Sequence, residues 1–391
     1  MLKLKHFLHP LRTADSAKTL LAARWNMKVL APRGELRYAS DPRFDLRNVT
    51  EGFAPRKNDS SDDTAILERI CIAYIKATEQ QSFVKQAYRP TSWWQGVRQA
   101  SLAPVQRALA ARDINALHAM YQNFFRNPCS GGLVGVPYQM AKAYSGEAVD
   151  DSYRRFFLSD ALHRVDYWKA QTGNRFELSV LAGPDIGNPF GAVIEGTFVR
   201  TGTEYQHYCA HKIRELLPSS SASVVEIGGG FGSMTYYLLR DRPGITYFDF
   251  DLPESIALAS YYLLKSFPNL NFLLYGEQEL AKSSREQFDV ILMPAFELSK
   301  LPAKSIDLTF SSHTMSSFSR SAIIEYVDQI MRTTRNSLLY VGRGGENISF
   351  QKLIGAKYPS LTLGEKHRLE WNNQKFRNTN EEECLYQITV A

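Results

Sequence analysis

Residues 224–232, VVEIGGGFG, decide how this chain folds. An apolar run that contains one acid, Glu226, leads directly into glycines, and the mainly apolar stretch SMTYYLL follows at residues 233–239. This pattern indicates a buried strand that ends in a glycine turn and feeds a helix. Such a turn points backbone N–H groups and a helix N-terminus at the carboxyl edge of a sheet, where open α/β sheets bind ligands. The stretch therefore predicts a ligand site on an α/β sheet.

From residue 223 onward, strand and helix patterns alternate. Strands are predicted at SVVEIG, ITYFDFD, FLLYG, FDVILM, SIDLTFSS and NSLLYVG, and helices at residues 233–240, 253–267 and 320–333. Such alternation is typical of a mostly parallel, doubly wound sheet with helices on both faces. Two late strand patterns, LTLGEKHRLEW and CLYQITVA, have no clear helix between them and fit an antiparallel hairpin at the sheet edge.

The composition is that of an ordinary soluble globular protein, with 44% hydrophobic and 22% charged residues among 391. No stretch reaches the roughly 18–20 apolar residues of a membrane-spanning helix, and no secretory signal pattern is present, so a cytoplasmic location is expected. The formal net charge is +6, while residues 1–57 alone hold 12 lysines and arginines against 5 acids. Basicity thus belongs to the N-terminal segment, which could contact an anionic membrane surface or remain a solvated arm.

These patterns divide the chain into four parts. They are a basic N-terminal arm (1–60), a mainly helical domain (61–172), a segment of loops and β-ribbons expected to cover the site (173–203), and the α/β domain (204–391). Helical periodicity is clearest over residues 65–84, 97–111 and 114–125.

The residues around the glycine loop narrow the choice of ligand. A phosphate loop of the Gly-Lys-Ser/Thr type is absent, and the dinucleotide fingerprint GxGxxG would need a third glycine where Ser233 stands. Glu226 would repel a pyrophosphate but attract an ammonium group. The next strand ends in FDFDLPES, so Asp249 and Asp251 stand at its mouth, where a carboxylate can accept hydrogen bonds from two ribose hydroxyls. The glycines alone do not exclude a dinucleotide as the ligand.

VVEIGGGFG, FDFDLPES and FDVILMPAFELSKLPAKSIDLTFSSHTM resemble the class I S-adenosylmethionine-dependent methyltransferases. The wider pattern of DIGNPFG, EYQHYCAHKI, YYLLKSFPN and IIEYVDQI resembles the bacterial sugar O-methyltransferase family, over roughly residues 92–341. The resemblance implies a Rossmann-like class I sheet with a terminal antiparallel hairpin. It also implies S-adenosylmethionine as methyl donor, with S-adenosylhomocysteine as product.

The resemblance also assigns cofactor contacts. Glu226 would bind the methionine ammonium and Asp251 the ribose hydroxyls. The adenine would lie beyond FDVILM, where Met293-Pro294 replaces the family's usual Gly-Asp. The full set of expected cofactor residues is Glu226, Gly228, Gly229, Gly230, Asp251, Leu252, Ala295, Phe296 and Ser312.

Three residues are candidates for the chemistry at the acceptor. His313 follows SIDLTFSS at the expected carboxyl edge and would act as a base or orient the substrate; a structural histidine is the alternative. His207 and His211 lie four apart, which would suit a metal, but no third ligand is evident, so a solvated or site-lining face with His207 in the site is favoured. Asp185 in DIGNPFG would reach a sugar or only form a turn. Trp93, Trp94 and Trp168 would stack on a sugar or pack in the core.

The implied activity is methylation of a sugar hydroxyl in a glycan, a glycolipid or a glycosylated small molecule, with the helical half supplying the acceptor pocket or an oligomer interface. No metal site is predicted, although metal assistance stays open. No aromatic-basic RNA module is visible, so no nucleic-acid partner is expected. The alternatives are an O- or N-methyltransferase of natural products, an NAD-dependent oxidoreductase, and a non-catalytic scaffold that binds S-adenosylmethionine.

Overall fold

A computed structural model describes residues 31–56, 62–134, 149–217, 221–280, 284–344, 350–373 and 380–389. Residues 1–30 and 57–60 of the predicted basic arm lie outside these described residues. The described chain up to residue 171 is mainly helical, as its periodicity predicts. Its helices are α1 (Ala31–Glu35), α2 (Arg47–Gly52), α3 (Thr64–Gln81), α4 (Ser92–Val97), α5 (Ala103–Ala111), α6 (Ile114–Tyr121) and α7 (Asp151–Gln171).

The helix predicted over 97–111 begins earlier and is interrupted. A π-helical segment, Arg98–Leu102, separates α4 from α5. Pro104 follows it and has no N–H to donate to the preceding turn, so the hydrogen-bond pattern changes there. The long helix α7 begins at Asp150, whose side chain accepts a hydrogen bond from the Tyr153 N–H at 2.9 Å.

A two-stranded hairpin lies between the helices and the main sheet. Strands β1 (Gly191–Ile194) and β2 (Thr197–Arg200) pair antiparallel, which is the ribbon predicted within residues 173–203. Helix α2 packs so closely on β1 that a Cβ at Gly52 would come within 2.2 Å of the Gly191 carbonyl oxygen. Arg43, near α2, pairs with Asp166 of α7 at 2.8 Å. The described residues 31–56 are therefore packed against the protein.

The main sheet has eight strands. In chain order its strands and the helices around them are α8 (Thr203–Leu216), β3 (Ser223–Ile227), α9 (Ser233–Asp241), β4 (Thr246–Asp251), α10 (Pro253–Ser266), β5 (Phe272–Leu274), α11 (Ser284–Gln287), β6 (Val290–Pro294), β7 (Ile306–Ser312), α12 (Arg320–Thr333), β8 (Thr334–Gly344), α13 (Phe350–Lys357), β9 (Leu361–Leu369) and β10 (Asn380–Ile388). The strand order is β5-β6-β4-β3-β7-β8-β10-β9.

This topology confirms the predicted fold class. Strands β3 to β8 pair in parallel, and only β10 pairs antiparallel, with β8 on one side and β9 on the other. The last two strands form the expected antiparallel hairpin at the sheet edge. All five residues of β3 and of β6 are buried, as expected for parallel strands covered on both faces. The protein is thus an α/β protein with a Rossmann-like, mostly parallel sheet.

The strand order also locates the site. From β3 the chain forms β4, β5 and β6 on one side, in the spatial order β4-β6-β5 going outward from β3, and then β7 and β8 on the other side. Open α/β sheets bind ligands at the carboxyl edge of the sheet where the strand order reverses in this way. The end of β3, which is the glycine loop, lies at that point. No helix within the described ranges is long and apolar enough to cross a membrane.

Candidate active site

The glycine loop follows β3 and owes its shape to its glycines. Gly228, Gly230 and Gly232 have φ angles of +82°, +65° and +85°, a region that glycine enters at little cost. A Cβ on Gly228 would lie 2.0 Å from Oγ1 of Thr314, which follows β7. The loop is therefore held tightly between β4 and the residues after β7.

Three carboxylates surround this loop. Glu226 of β3 is buried, and one of its oxygens accepts a hydrogen bond from the Tyr247 hydroxyl. Asp249 accepts from the Gly229 N–H at 3.1 Å, and its second oxygen has no partner among the described residues. Asp251 accepts from the N–H groups of Gly230 (3.1 Å) and Leu252 (2.6 Å). Two acids thus bind the loop backbone directly.

The three acids form a buried acidic site. No lysine, arginine or histidine of the described chain forms an ion pair with any of them. Burial raises the pKa of Glu226 and that of Asp251 to about 7. Burial, aided by the charges of Asp251 and Glu226, raises the pKa of Asp249 well above its ordinary value. A ligand that brings a positive charge would relieve this repulsion, whereas a pyrophosphate would increase it.

The residues expected at the adenine end border a cleft. Ala295 and Phe296 follow β6 and are buried, and Phe296 contacts the Tyr275 ring edge to face at 5.6 Å. A narrow apolar crevice lies next to them, with Pro253, Tyr275 and Pro294 in its lining.

Glu254 anchors the helical half beside this site and was not predicted from the sequence. It is buried, and its carboxylate binds the Arg98 guanidinium through both oxygens, at 2.5 and 2.6 Å. The Trp94 indole N–H donates to the same carboxylate at 2.5 Å. Trp94 therefore packs between the two halves, while Trp93 is 60% exposed.

His313 lies at the carboxyl end of β7 with an unusual backbone conformation. Its φ angle is +61°, although it is not a glycine, and its N–H donates to the Val341 carbonyl at 2.7 Å. Non-glycine residues in this region are uncommon and cluster at functional sites. The side chain is exposed, and its ring lies 6.0 Å from the ring of Tyr205. This placement brings His313 to the same sheet edge as the acids.

Tyr205 is a second residue that the sequence did not single out. Its hydroxyl is 2.6 Å from Oγ of Ser312, one of the expected cofactor residues. Tyr205 stands within the stretch EYQHYCAHKI at the start of α8, but only the fold reveals that it reaches β7. It links α8 to the edge where His313 lies.

His207 lies in an aromatic core instead of at this edge. It is 1% exposed, and its Nδ1 accepts the Trp168 indole N–H at 3.1 Å. Burial lowers its pKa to about 3, so the ring is neutral at ordinary pH. His211 is buried as well. The solvated-face interpretation of this stripe of α8 is therefore wrong, because α7 and the ring of Phe176 cover it.

Asp185 is exposed and pairs with Arg56 at 3.6 Å. None of its described contacts joins it to the glycine loop, so the structure does not bring it together with His313. The neighbouring Asn188 is buried and binds the Arg56 N–H and the Asn123 side chain, each at 2.9 Å. No group of three metal-ligating side chains occurs within the described ranges.

The raised pKa of Glu226 predicts that the stability of the ligand-free protein depends on pH. Folded, Glu226 keeps its proton up to a pH of about 7, whereas unfolded it loses it near its ordinary value of 4.5. The folded state then binds more protons between these values, so the free energy of unfolding falls as the pH rises through this window. In urea denaturation, the free energy of unfolding of Glu226→Gln should fall less steeply with pH than that of the wild type. The two slopes should differ by up to about 1.4 kcal/mol per pH unit. If Glu79→Gln, at an exposed glutamate, changes the slope of the free energy of unfolding against pH by the same amount, the prediction is wrong.

No family model and no curated protein matches the sequence. The fold resembles that of a SAM-dependent methyltransferase from Aquifex aeolicus, at 11% identity and a TM-score of 0.32, covering 48% of this chain and 94% of that one. It also resembles the magnesium protoporphyrin IX methyltransferase of Synechocystis with bound SAM, at 10% identity and a TM-score of 0.33, covering 62% of this chain and 99% of that one. A TehB-like SAM-dependent methyltransferase from Corynebacterium glutamicum matches at 15% identity and a TM-score of 0.33, covering 59% and 99%.

Proposed function

We propose that this protein is an S-adenosylmethionine-dependent O-methyltransferase whose acceptor is a sugar hydroxyl. The observation that carries the proposal is the set of three acids around the glycine loop, which no basic side chain of the described residues neutralises. The donor carries an ammonium, a sulfonium and a ribose diol, and these groups suit such a site. NAD carries a pyrophosphate, which does not.

Glu226 and Asp251 would bind different groups of the donor. Glu226 has one oxygen committed to Tyr247 and would hold the methionine ammonium. Asp251 uses one lone pair of each oxygen for backbone N–H groups, and a carboxylate has about four such sites, so two remain for the ribose hydroxyls. The bound donor supplies an electrophilic methyl group. The protein contributes by holding an acceptor hydroxyl in line with that group.

The acceptor side lies across β3 from Asp251. Strand β7 is the neighbour of β3 on that side, and Ser312, His313 and Tyr205 meet at its end. A sugar hydroxyl is a weak nucleophile, and a base that receives its proton is expected to help. His313 is the exposed residue that we assign to this role or to orienting the hydroxyl. His207 and Asp185 are not placed in this site.

Equilibrium binding tests the proposal without knowledge of the acceptor. In isothermal titration calorimetry, we expect S-adenosylhomocysteine to bind the purified protein and NADH not to bind. Binding of NADH alone would overturn the proposal and favour an oxidoreductase. If S-adenosylhomocysteine binds, transfer of a labelled methyl group to a glycan mixture separates an enzyme from a scaffold that only binds the cofactor.

His313→Ala should lower turnover with little effect on the donor. With an acceptor that supports turnover, we expect kcat to fall about 10²- to 10⁴-fold, the usual contribution of a positioned acid or base. Calorimetry should give an affinity for S-adenosylhomocysteine close to that of the wild type. His367→Ala, an exposed histidine on β9, is the matched control. Wild-type turnover in His313→Ala would exclude His313 from the reaction.

A further inference from the structure

A buried polar cluster lies between α7 and α8. It consists of Asp160 and Arg164 of α7 and Glu204 of α8. Asp160 and Arg164 are paired at 2.8 Å. The charges of Arg164 and Asp160 both act on the pKa of Glu204, which Arg164 lowers and Asp160 raises. None of these residues has a part in the cofactor site described above.

Glu204 is the member of the cluster whose hydrogen bonding is incomplete. Its side chain is 1% exposed, yet Oε2 has no hydrogen-bond partner among the described residues. A buried carboxylate oxygen without a donor is costly, because burial removes the water that would otherwise bind it. Burial accordingly raises the pKa of Glu204 to about 7. A hydroxyl group placed there would satisfy the free oxygen.

The cluster borders the acceptor side of the site. Glu204 is followed by Tyr205, whose hydroxyl contacts Ser312 at the end of β7 and whose ring lies near His313. Trp371 packs against the Tyr205 ring at 5.4 Å, and the next residue, Asn372, accepts from Arg164, so one segment of the chain joins the cluster to Tyr205. The cofactor acid Asp251 lies on the opposite side of β3.

The cluster also forms hydrogen bonds with Asn372 and Asn373. Asn372 accepts from Arg164 at 3.1 Å, and the Asn373 N–H donates to Asp160 at 3.3 Å. Hydroxyl groups can replace such bonds because each hydroxyl both donates and accepts. The cluster thus contains a carboxylate acceptor and a guanidinium donor, which are the two kinds of group that the hydroxyls of one sugar ring can bind.

We propose that Glu204, supported by Arg164 and Asp160, binds hydroxyl groups of the sugar acceptor and so helps to determine which acceptor is used. The proposal rests on the proposed function for its choice of ligand. Glu204 accepts a hydrogen bond from one hydroxyl, and Arg164 donates to the next. No covalent step is assigned to it.

The test uses the full-length protein saturated with S-adenosylhomocysteine. Binding of the methyl glycosides of glucose, galactose, mannose and rhamnose is measured by saturation-transfer NMR and calorimetry. We expect at least one to bind the wild type, and Glu204→Gln to weaken it about 10- to 100-fold, as for a lost hydrogen bond to a charged group. Glu204→Asp keeps the charge beside Arg164 and should also bind more weakly. Glu215→Gln, a 42% exposed glutamate on the same helix, is the control and should bind like the wild type.

The outcomes separate this inference from the proposed function. If S-adenosylhomocysteine binds but no glycoside does, or if both Glu204 variants bind glycosides like the wild type, the assignment of Glu204 is wrong and the donor site stands. If S-adenosylhomocysteine does not bind, the proposed function fails. Glu204-dependent glycoside binding would then still support a sugar site. A purely structural Glu204 would lower the melting temperature of the variants and leave glycoside affinity unchanged in the folded protein.

Discussion

Asp251→Ala is expected to weaken binding of S-adenosylhomocysteine strongly. The carboxylate accepts from Gly230 of the glycine loop and from the adjacent Leu252 N–H, and its remaining lone pairs are those proposed for the ribose. A hydrogen bond to a charged group contributes about 1.5–3 kcal/mol, so two lost ribose contacts amount to about 3–6 kcal/mol. This corresponds to a 10²- to 10⁴-fold weaker affinity, which calorimetry measures directly.

Asp249→Asn is the matched control for this change. Asp249 also ends near the loop, but it is fully buried, and only one of its oxygens has a described partner, the Gly229 N–H. The asparagine oxygen can keep that bond, and asparagine has nearly the size of the buried aspartate. We expect affinity within about threefold of the wild type, because no cofactor contact is assigned to Asp249. If Asp251→Ala binds normally and Asp249→Asn does not, the two acids have been assigned the wrong way round.

The fold could be predicted because its signals are local. The run from β3 through α10 has apolar strands, a glycine turn and Pro253 at the start of a helix, and each of these acts within a few residues. The helix predicted over 320–333 coincides with α12, which begins after Ser319, whose side chain accepts from the Ala322 N–H at 3.2 Å. Glu226, Asp249 and Asp251 could be predicted for the same reason, because they stand in the strand patterns on either side of the glycine turn.

The parts that were missed depend on contacts between distant segments. Glu254 meets Arg98 and Trp94 about 156–160 residues away, and Tyr205 meets Ser312 at a separation of 107. A single sequence carries no sign of such pairs. His207 illustrates the reverse case, since its spacing from His211 would suit a metal and its polar stripe indicated a solvated or site-lining face. The neighbouring helix α7 buries it, and the Trp168 indole satisfies its ring nitrogen.

Gly228→Ala in the glycine loop is expected to destabilise the protein and to weaken its binding of S-adenosylhomocysteine. Alanine at a φ of +82° is strained, which costs about 1–3 kcal/mol, and its Cβ would lie 2.0 Å from Oγ1 of Thr314. Relieving that overlap should cost about 1–3 kcal/mol more and move the loop, so affinity for S-adenosylhomocysteine should fall with stability.

Gly196→Ala in the β1–β2 turn is the control: its φ is similar, at +76°, and nothing lies within 4 Å of its Cβ, so it carries the strain without the overlap. Urea denaturation should therefore show a larger loss for Gly228→Ala, which Thr314→Gly partly restores. Equal losses in the two alanine variants would show that Thr314 does not hold the loop.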